Sequence, residues 1–600
     1  MRKKHFLFAS VLALLCGSST LHAQDFKLTS SGYFKNQGVD VMAFDDIYPE
    51  GHQGGVCIIM NGHRVATNGD IRLEATPGQW QPVPKQLDRK LGDNSITATL
   101  CYPDSSRHLT GFNPMIYPDL HLIYTVNVES KGKNIEVTVD LDRPIPQEFI
   151  GKVGFNLEFF PGSLFGKPWI MDGQSGIFPQ QPNSPLMTTQ PNYLHTGNYH
   201  DGKQSLADMD KLIGKGYSPI VADDIISEPY AKGRKFTSRP DDPYNKVTIE
   251  SLSGDLQLFD GRMNHNNGWF VLRSNIKPGV TKGAVKWIIT PNVVADWMYQ
   301  PVIQTSQIGY HPAQDKEAVI EMDIRDNRKE TAQIIRIDAD GEKVVKNVTP
   351  ANWGKFLRYN YLKVDFTDVK EAGLYKIKYD TSVSPIFRID NDVYARGVWQ
   401  PVLEYFLPVQ MCHMRVNEKY RVWHDCCHMD DAQMAPAHNH IDGYDQKEGL
   451  SKFKPGEVVP GVNIGGWHDA GDFDLRIESQ AGESYILALA YEAFHPNLDV
   501  TSIDQINRVT EIHQPDGKND LLQQVENGAL TVVNGYLALG RLYRGIICND
   551  LRQYVLLGDA AAMTDGKIGN EDDRWIFTED NPGRELSTAA QLAEIGRAHV

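Results

Sequence analysis

The hydrophobic period of this chain changes once, near residue 391, and that change limits what each part can become. Before it, apolar residues recur at every second position. Leu122, Tyr124, Val126 and Val128 alternate with more polar neighbours, Gly132 follows, and Ile135, Val137, Val139 and Leu141 alternate again. A period of two puts alternate side chains on one face of a strand, so this stretch is expected to form a hairpin. Ala318, Ile320, Met322 and Ile324 repeat the pattern, as do Tyr375, Ile377 and Tyr379. From Val393 the spacing turns helical. Glu478–Phe494 is rich in Ala, Leu and Glu. Asp520–Ile547 carries Leu521, Val525 and Val532 on one face, although Gly528 and Gly535 weaken it. Ser587–Ala593 begins another helix, with Ser587 as its N-cap.

A chain of 600 residues is too long for one core. Three units are expected: a β-rich accessory domain over 24–298, an immunoglobulin-like β-sandwich over 299–390, and an all-α unit over 391–600. In the first, Trp269 and Trp297 are either core side chains or stacking platforms for a sugar ring.

The net charge of −16 and the lack of Lys/Arg clusters argue against a nucleic-acid partner. A neutral substrate such as a polysaccharide or oligosaccharide fits this balance. Arg2, Lys3 and Lys4 precede an apolar run from Phe6 to Leu15, and Leu21-His22-Ala23 offers a cleavage site. This is the pattern of a signal peptide over 1–23, too short for a spanning helix, and predicts a secreted or periplasmic protein. No later segment reads as transmembrane. Oligomeric state is not legible.

The motif with most chemical content is Gly465-Gly466-Trp467-His468-Asp469-Ala470-Gly471-Asp472. Two carboxylates separated by Ala and Gly can converge on one water, one taking its proton and the other holding its second hydrogen. Trp467 could pack against a sugar. A bare D-x-x-D is otherwise a solvated loop or a cap, so the octapeptide context decides. Asp572-Asp573-Arg574-Trp575-Ile576-Phe577 is the other aromatic and charged segment, lining a cleft through Trp575 or capping helices.

That octapeptide resembles the catalytic-base motif of family 9 glycoside hydrolases, the cellulase type. The resemblance extends over about residues 299–593 and takes in Ser306-Gln307-Ile308-Gly309-Tyr310-His311-Pro312, which is similar to the start of the family's N-terminal immunoglobulin-like domain. Gln400-Pro401-Val402-Leu403, Cys426-Cys427-His428 and Asn581-Pro582-Gly583-Arg584-Glu585 are its other marks. It implies an (α/α)6 barrel and inverting, endo-acting hydrolysis of β-1,4-glucosidic bonds in cellulose, mixed-linkage glucan or xyloglucan. Asp472 would be the general base and Asp469 its partner. Phe473-Asp474-Leu475-Arg476 departs from the family's usual continuation, which bears on subsite shape. A non-catalytic glycan-binding protein and an exo-acting oligosaccharide hydrolase are the alternatives.

Cys412, Cys427 and His428 match positions that bind a structural zinc in some family members, and His468 is the expected fourth ligand. Cys2His2 is a closed tetrahedral set. The competing reading is a disulfide from Cys412 to Cys426 or Cys427, and His413, His424, His438 and His440 compete for the fourth place. Nothing in the sequence speaks for or against calcium. The general acid, a Glu near the end of the family's barrel, is not found, and about half a barrel is present, so the chain as given is expected to be inactive and prone to aggregate. The final Glu594-Ile595-Gly596-Arg597-Ala598-His599-Val600 reads as the translation of a sequencing adapter, which would place the end of the natural sequence near Ala593.

Overall fold

A computed structural model describes residues 25–45, 54–73, 84–102, 120, 122–183, 186–187, 226–263, 268–356, 358–431, 433–439, 445–469, 473–547, 566–569 and 573–598. The signal-peptide reading at 1–23 lies outside these residues. No described helix is long and apolar enough to cross a membrane.

Residues 27–291 build two antiparallel sheets, each of nine strands among the described residues. Central to one are His63–Leu73, Val153–Phe159 and Phe270–Asn275. Central to the other are Val285–Pro291, Asn134–Leu141 and Leu122–Lys131. The expected hairpin is present, with Val126 opposite Val139, Val128 opposite Val137, and Lys131 opposite Asn134 around Gly132. Its alternating residues point into one apolar core. Rings from the two sheets meet there: Phe155 lies 5.0 Å from Trp287, and Phe159 lies 5.8 Å from Phe236. Trp269 is half-buried, edge-on to Phe160 at 4.7 Å.

Residues 302–389 form a smaller sandwich with its own core of Tyr310, Ile320, Met322, Ile334, Leu362, Val364, Tyr375 and Ile377. Glu317–Asp323 and Gly373–Tyr379 carry the two expected alternations, although Ile324 falls just past its strand. Tyr310 fixes the entry: its hydroxyl accepts from the Ser306 N–H at 2.9 Å and donates to the Glu317 carbonyl at 3.1 Å.

Beyond residue 400 the described residues contain a π-helical turn (Val402–Phe406) that runs into one short α-helix, α1 (Leu407–Gln410), and three long ones, α2 (Ile477–Phe494), α3 (Asp520–Leu539) and α4 (Pro582–Ala598). Helix α2 packs on both α3 and α4. The expectation of an all-α unit needs correction here. Short strands are interleaved, with Arg415–Glu418 pairing in parallel with Val509–Ile512, and Gly545–Ile547 set between Leu475–Arg476 and Trp575–Phe577.

Helix boundaries differ for local reasons. Gly540 adopts φ +78° and ends α3, so the apolar run at 545–547 becomes a strand. Helix α4 starts earlier than Ser587 because Asn581 caps it, its side-chain oxygen accepting from Arg584 N–H at 3.2 Å, and Pro582 supplies a preset φ. Gly528 is a packing residue: a Cβ there would lie 2.4 Å from the Trp467 ring. Ile595 is buried against Ala488 and Val525.

Candidate metal centre and the adjoining carboxylate loop

Backbone pairing brings the first ligands together. Met411 and Trp467 form an antiparallel bridge, with Cys412 N–H donating to the Gly466 carbonyl at 2.9 Å and His468 N–H to the Gln410 carbonyl at 2.8 Å. Cys412 and His468 are thereby set side by side. The hairpin Arg415–Glu418 with Arg421–His424 then turns the chain back, and Cys427 and His428 arrive from its far end. His428 has φ +53°, an uncommon conformation for a non-glycine residue.

All four side chains are buried, and their ligand atoms lie within 4.8 Å of one another. Cys412 Sγ is 3.9 Å from Cys427 Sγ and 3.6 Å from His428 Nδ1; Cys427 Sγ is 3.5 Å from His468 Nε2. A zinc tetrahedron with Zn–S of about 2.3 Å and Zn–N of about 2.0–2.1 Å has edges of about 3.3–3.8 Å, close to these three distances, so the donor set fits that ion. The two sulfurs stand well beyond the roughly 2.05 Å of a disulfide, and Cys412, Cys426 and Cys427 are free thiols.

The electrostatics suit the same set. Burial opposes ionisation of Cys412, but the hydrogen bond from Cys427 and the charges of neighbours including Arg574 hold its thiol well below the ordinary range. Cys427 is pushed up, by its hydrogen bond to Cys412 and by burial, so one proton remains between the two sulfurs. Burial, with Arg574 acting the same way, pushes His428 down to about 3, and burial also lowers His468. Both imidazoles are therefore neutral, as metal ligands must be.

Arg574 and Asp431 are the partners that reading the sequence missed. Arg574 is fully buried and donates from Nη2 to Cys412 Sγ at 3.3 Å, from Nε to Asp431 Oδ2 at 2.5 Å, and from Nη1 to the Phe473 carbonyl. Burial pushes Asp431 up to about 7 against the pull of Arg574. The Asp573–Phe577 segment thus supports the Cys/His cluster. Asp573 and Arg574 are buried, and Trp575 is half-buried beside Phe577, at 6.3 Å between ring centres.

The competing histidines are engaged elsewhere. His413 Nδ1 faces the Gly465 carbonyl at 3.0 Å, and His424 places its ring nitrogens 2.8 Å and 3.1 Å from the carbonyls of Asp425 and Val409. The side chain of His438, and all of His440, lie outside the described residues.

Trp467 is corrected from a sugar platform to a core residue. It is 2% exposed, exchanges backbone hydrogen bonds with the Gln480 side chain on α2, and donates Nε1–H to Gln524 on α3 at 2.8 Å. Asp469, next to ligand His468, is exposed, with Arg476 Nε 3.5 Å from its Oδ2. Asp472 lies outside the described residues.

Residues 298–384 match the cellulase N-terminal Ig-like domain, so this sandwich is a module of that class. Among solved structures, a metagenome-derived glycoside hydrolase family 9 endoglucanase is 20% identical, with 50% of this chain and 54% of that chain covered and a TM-score of 0.34. A family 9 protein of Bacteroides ovatus is 16% identical, covering 50% and 48%, with a TM-score of 0.35. A Zn-binding triple mutant of the family 9 endoglucanase J30 is 18% identical, covering 48% and 52%, with a TM-score of 0.34. The chain spans about half the length of these structures. No curated protein matches it.

Proposed function

We propose that the chain is part of an exported glycoside hydrolase that cleaves β-1,4-glucosidic bonds internally with inversion. In this reading 24–298 is an accessory domain, 299–390 the immunoglobulin-like module, and 391–600 a portion of an (α/α)6 catalytic barrel. Asp472 is the general base, Asp469 helps hold the water, and Trp575 borders the glucan cleft. In an inverting site the acid and base stand about 6.5–9.5 Å apart, which leaves room for that water.

One observation carries the reading: the Cys/His cluster ends at His468, immediately before Asp469, downstream of a cellulase-type Ig-like module. Cys412, Cys427, His428 and His468 would hold a structural zinc, which would supply cross-linking and no chemistry, since protein fills all four positions. His468 leads directly into Asp469, and the hydrogen bond from Cys427, with the charges of neighbours including Arg574, favours the Cys412 thiolate.

The test is release of reducing sugar from soluble β-glucan by the complete protein, with product anomers followed by NMR. Asp472→Asn should lower turnover at least about a thousandfold while substrate binding persists. Near-wild-type turnover in that variant would remove Asp472 from the mechanism. A complete protein that binds glucan and never cleaves it would favour a glycan-binding role.

A further inference from the structure

A cavity of about 340 Å³ lies where the large sandwich meets the Ig-like module, far along the chain from the Cys/His cluster. Its walls come from both units, including Tyr33 and Asp40 on one side, Arg358 and Tyr359 on the other, and Trp297 and Tyr299 on the connecting segment. The volume falls at the lower end of the range for small-molecule sites.

The aromatic wall is held in place. Gln37 and Arg325 both donate to the Trp297 carbonyl, at 3.0 Å and 2.7 Å, from opposite units. Tyr299 N–H donates to Asp323 at 3.1 Å and its hydroxyl to Glu321 at 2.8 Å. Trp297, Tyr299 and Tyr359 form a run of rings with neighbouring centres 6.4 Å and 5.1 Å apart. Trp297 is half-buried, so part of its ring surface is exposed.

Asp40 supplies the polar anchor. Its residue is 8% exposed, it lines the cavity, and among the described residues no donor hydrogen-bonds to its carboxylate. Lys35 and Arg358 act on it only through space, and burial pushes its carboxyl up in spite of them. As an acceptor lining the cavity, the carboxylate can take hydrogen bonds from a ligand's donors. An anion would meet Asp40 and a cation would meet Arg358. A neutral ring with hydroxyl donors and an apolar face satisfies both the carboxylate and the rings.

We infer that this junction is a binding site for a neutral oligosaccharide, with a pyranose ring against Trp297 and its hydroxyls donating to Asp40. The site holds glycan outside the proposed catalytic cleft; the hydrolase reading enters only in the choice of probes. Binding is measured by calorimetry and tryptophan fluorescence on the full chain carrying Asp472→Asn, with cellotetraose, xylotetraose and mannotetraose as probes. At least one probe should bind. Asp40→Asn, which keeps the shape of the side chain, should weaken that binding about tenfold or more. Trp297→Ala should weaken it similarly, with far-UV circular dichroism unchanged. Absence of binding by all three probes overturns the site, as does binding that survives both substitutions undiminished. Asp40-dependent binding, with no hydrolysis by the complete protein that keeps Asp472, sustains this inference and sinks the hydrolase. Hydrolysis together with Asp40-independent binding does the reverse.

Discussion

Cys412 and Cys427 occupy equivalent corners of the proposed zinc tetrahedron, yet their replacement should have unequal cost. Either serine variant loses a thiolate ligand. If zinc is present at 100 to 1,000 times its Kd, its loss removes about 2.7–4.1 kcal/mol of stability. Cys412 has a second duty, because Arg574 Nη2 donates to its sulfur from a fully buried guanidinium. A hydrogen bond to a charged group is worth about 1.5–3 kcal/mol, and a serine hydroxyl recovers part of it. Cys412→Ser should therefore exceed Cys427→Ser by about 1–2 kcal/mol. The assay is urea denaturation with and without chelator, alongside elemental analysis and the cobalt-substituted spectrum, in which thiolate ligands give near-ultraviolet charge-transfer bands. Wild type should hold one zinc and lose stability on chelation. After chelation the Cys427→Ser penalty should shrink to near zero while that of Cys412→Ser persists. Equal penalties would refute the role given to Arg574, and a metal-free wild type indifferent to chelator would refute the centre.

Other outcomes follow from the same geometry. Arg574→Met should cost about 3–5 kcal/mol by stranding buried Asp431, and pairing it with Asp431→Leu should recover much of that; a loss as large in the double variant would count against the pair as the cause. Acid should destabilise the chelated protein. His428 is held at about 3 in the folded chain against an ordinary value near 6.5, so its contribution is fully present above pH 6.5 and is lost as pH falls toward 3. At pH 5 this amounts to about 2 kcal/mol, with His468 adding in the same direction, and urea midpoints that match at pH 7.5 and pH 5 would contradict it. Gly528→Ala should lower the melting temperature in spite of alanine's better helix propensity, because its Cβ would press on Trp467 and Ser484; a rise would show that the interface has slack.

What could be read from the chain was what depends on local period or on residue chemistry. The 122–141 hairpin follows from alternation alone, and the Cys/His quartet was named through the resemblance to family 9 hydrolases, its four ligand atoms then lying within 4.8 Å of one another. Arg574 was not, because Asp431 lies 143 positions away and neither dipeptide around them is distinctive. Trp467 was misplaced because a tryptophan beside carboxylates looks the same in sequence whether it faces a glycan or fills the groove between two helices. The interleaved strands escaped notice because runs of two to four residues are too short for a period to register.

The reach of Arg574 to Cys412 also sets an order of events. The two are 162 positions apart, whereas the sulfurs of Cys412 and Cys427 are separated by 15. A growing chain presents the thiol pair long before the guanidinium that donates to Cys412 can dock. If the chain is exported as proposed, the pair then faces two fates, capture by metal or closure into a disulfide, and thiolate fraction governs the rate of the second. The contact from Arg574 can form only after both thiols are in place, so the arginine completes the buried cluster and does not assemble it.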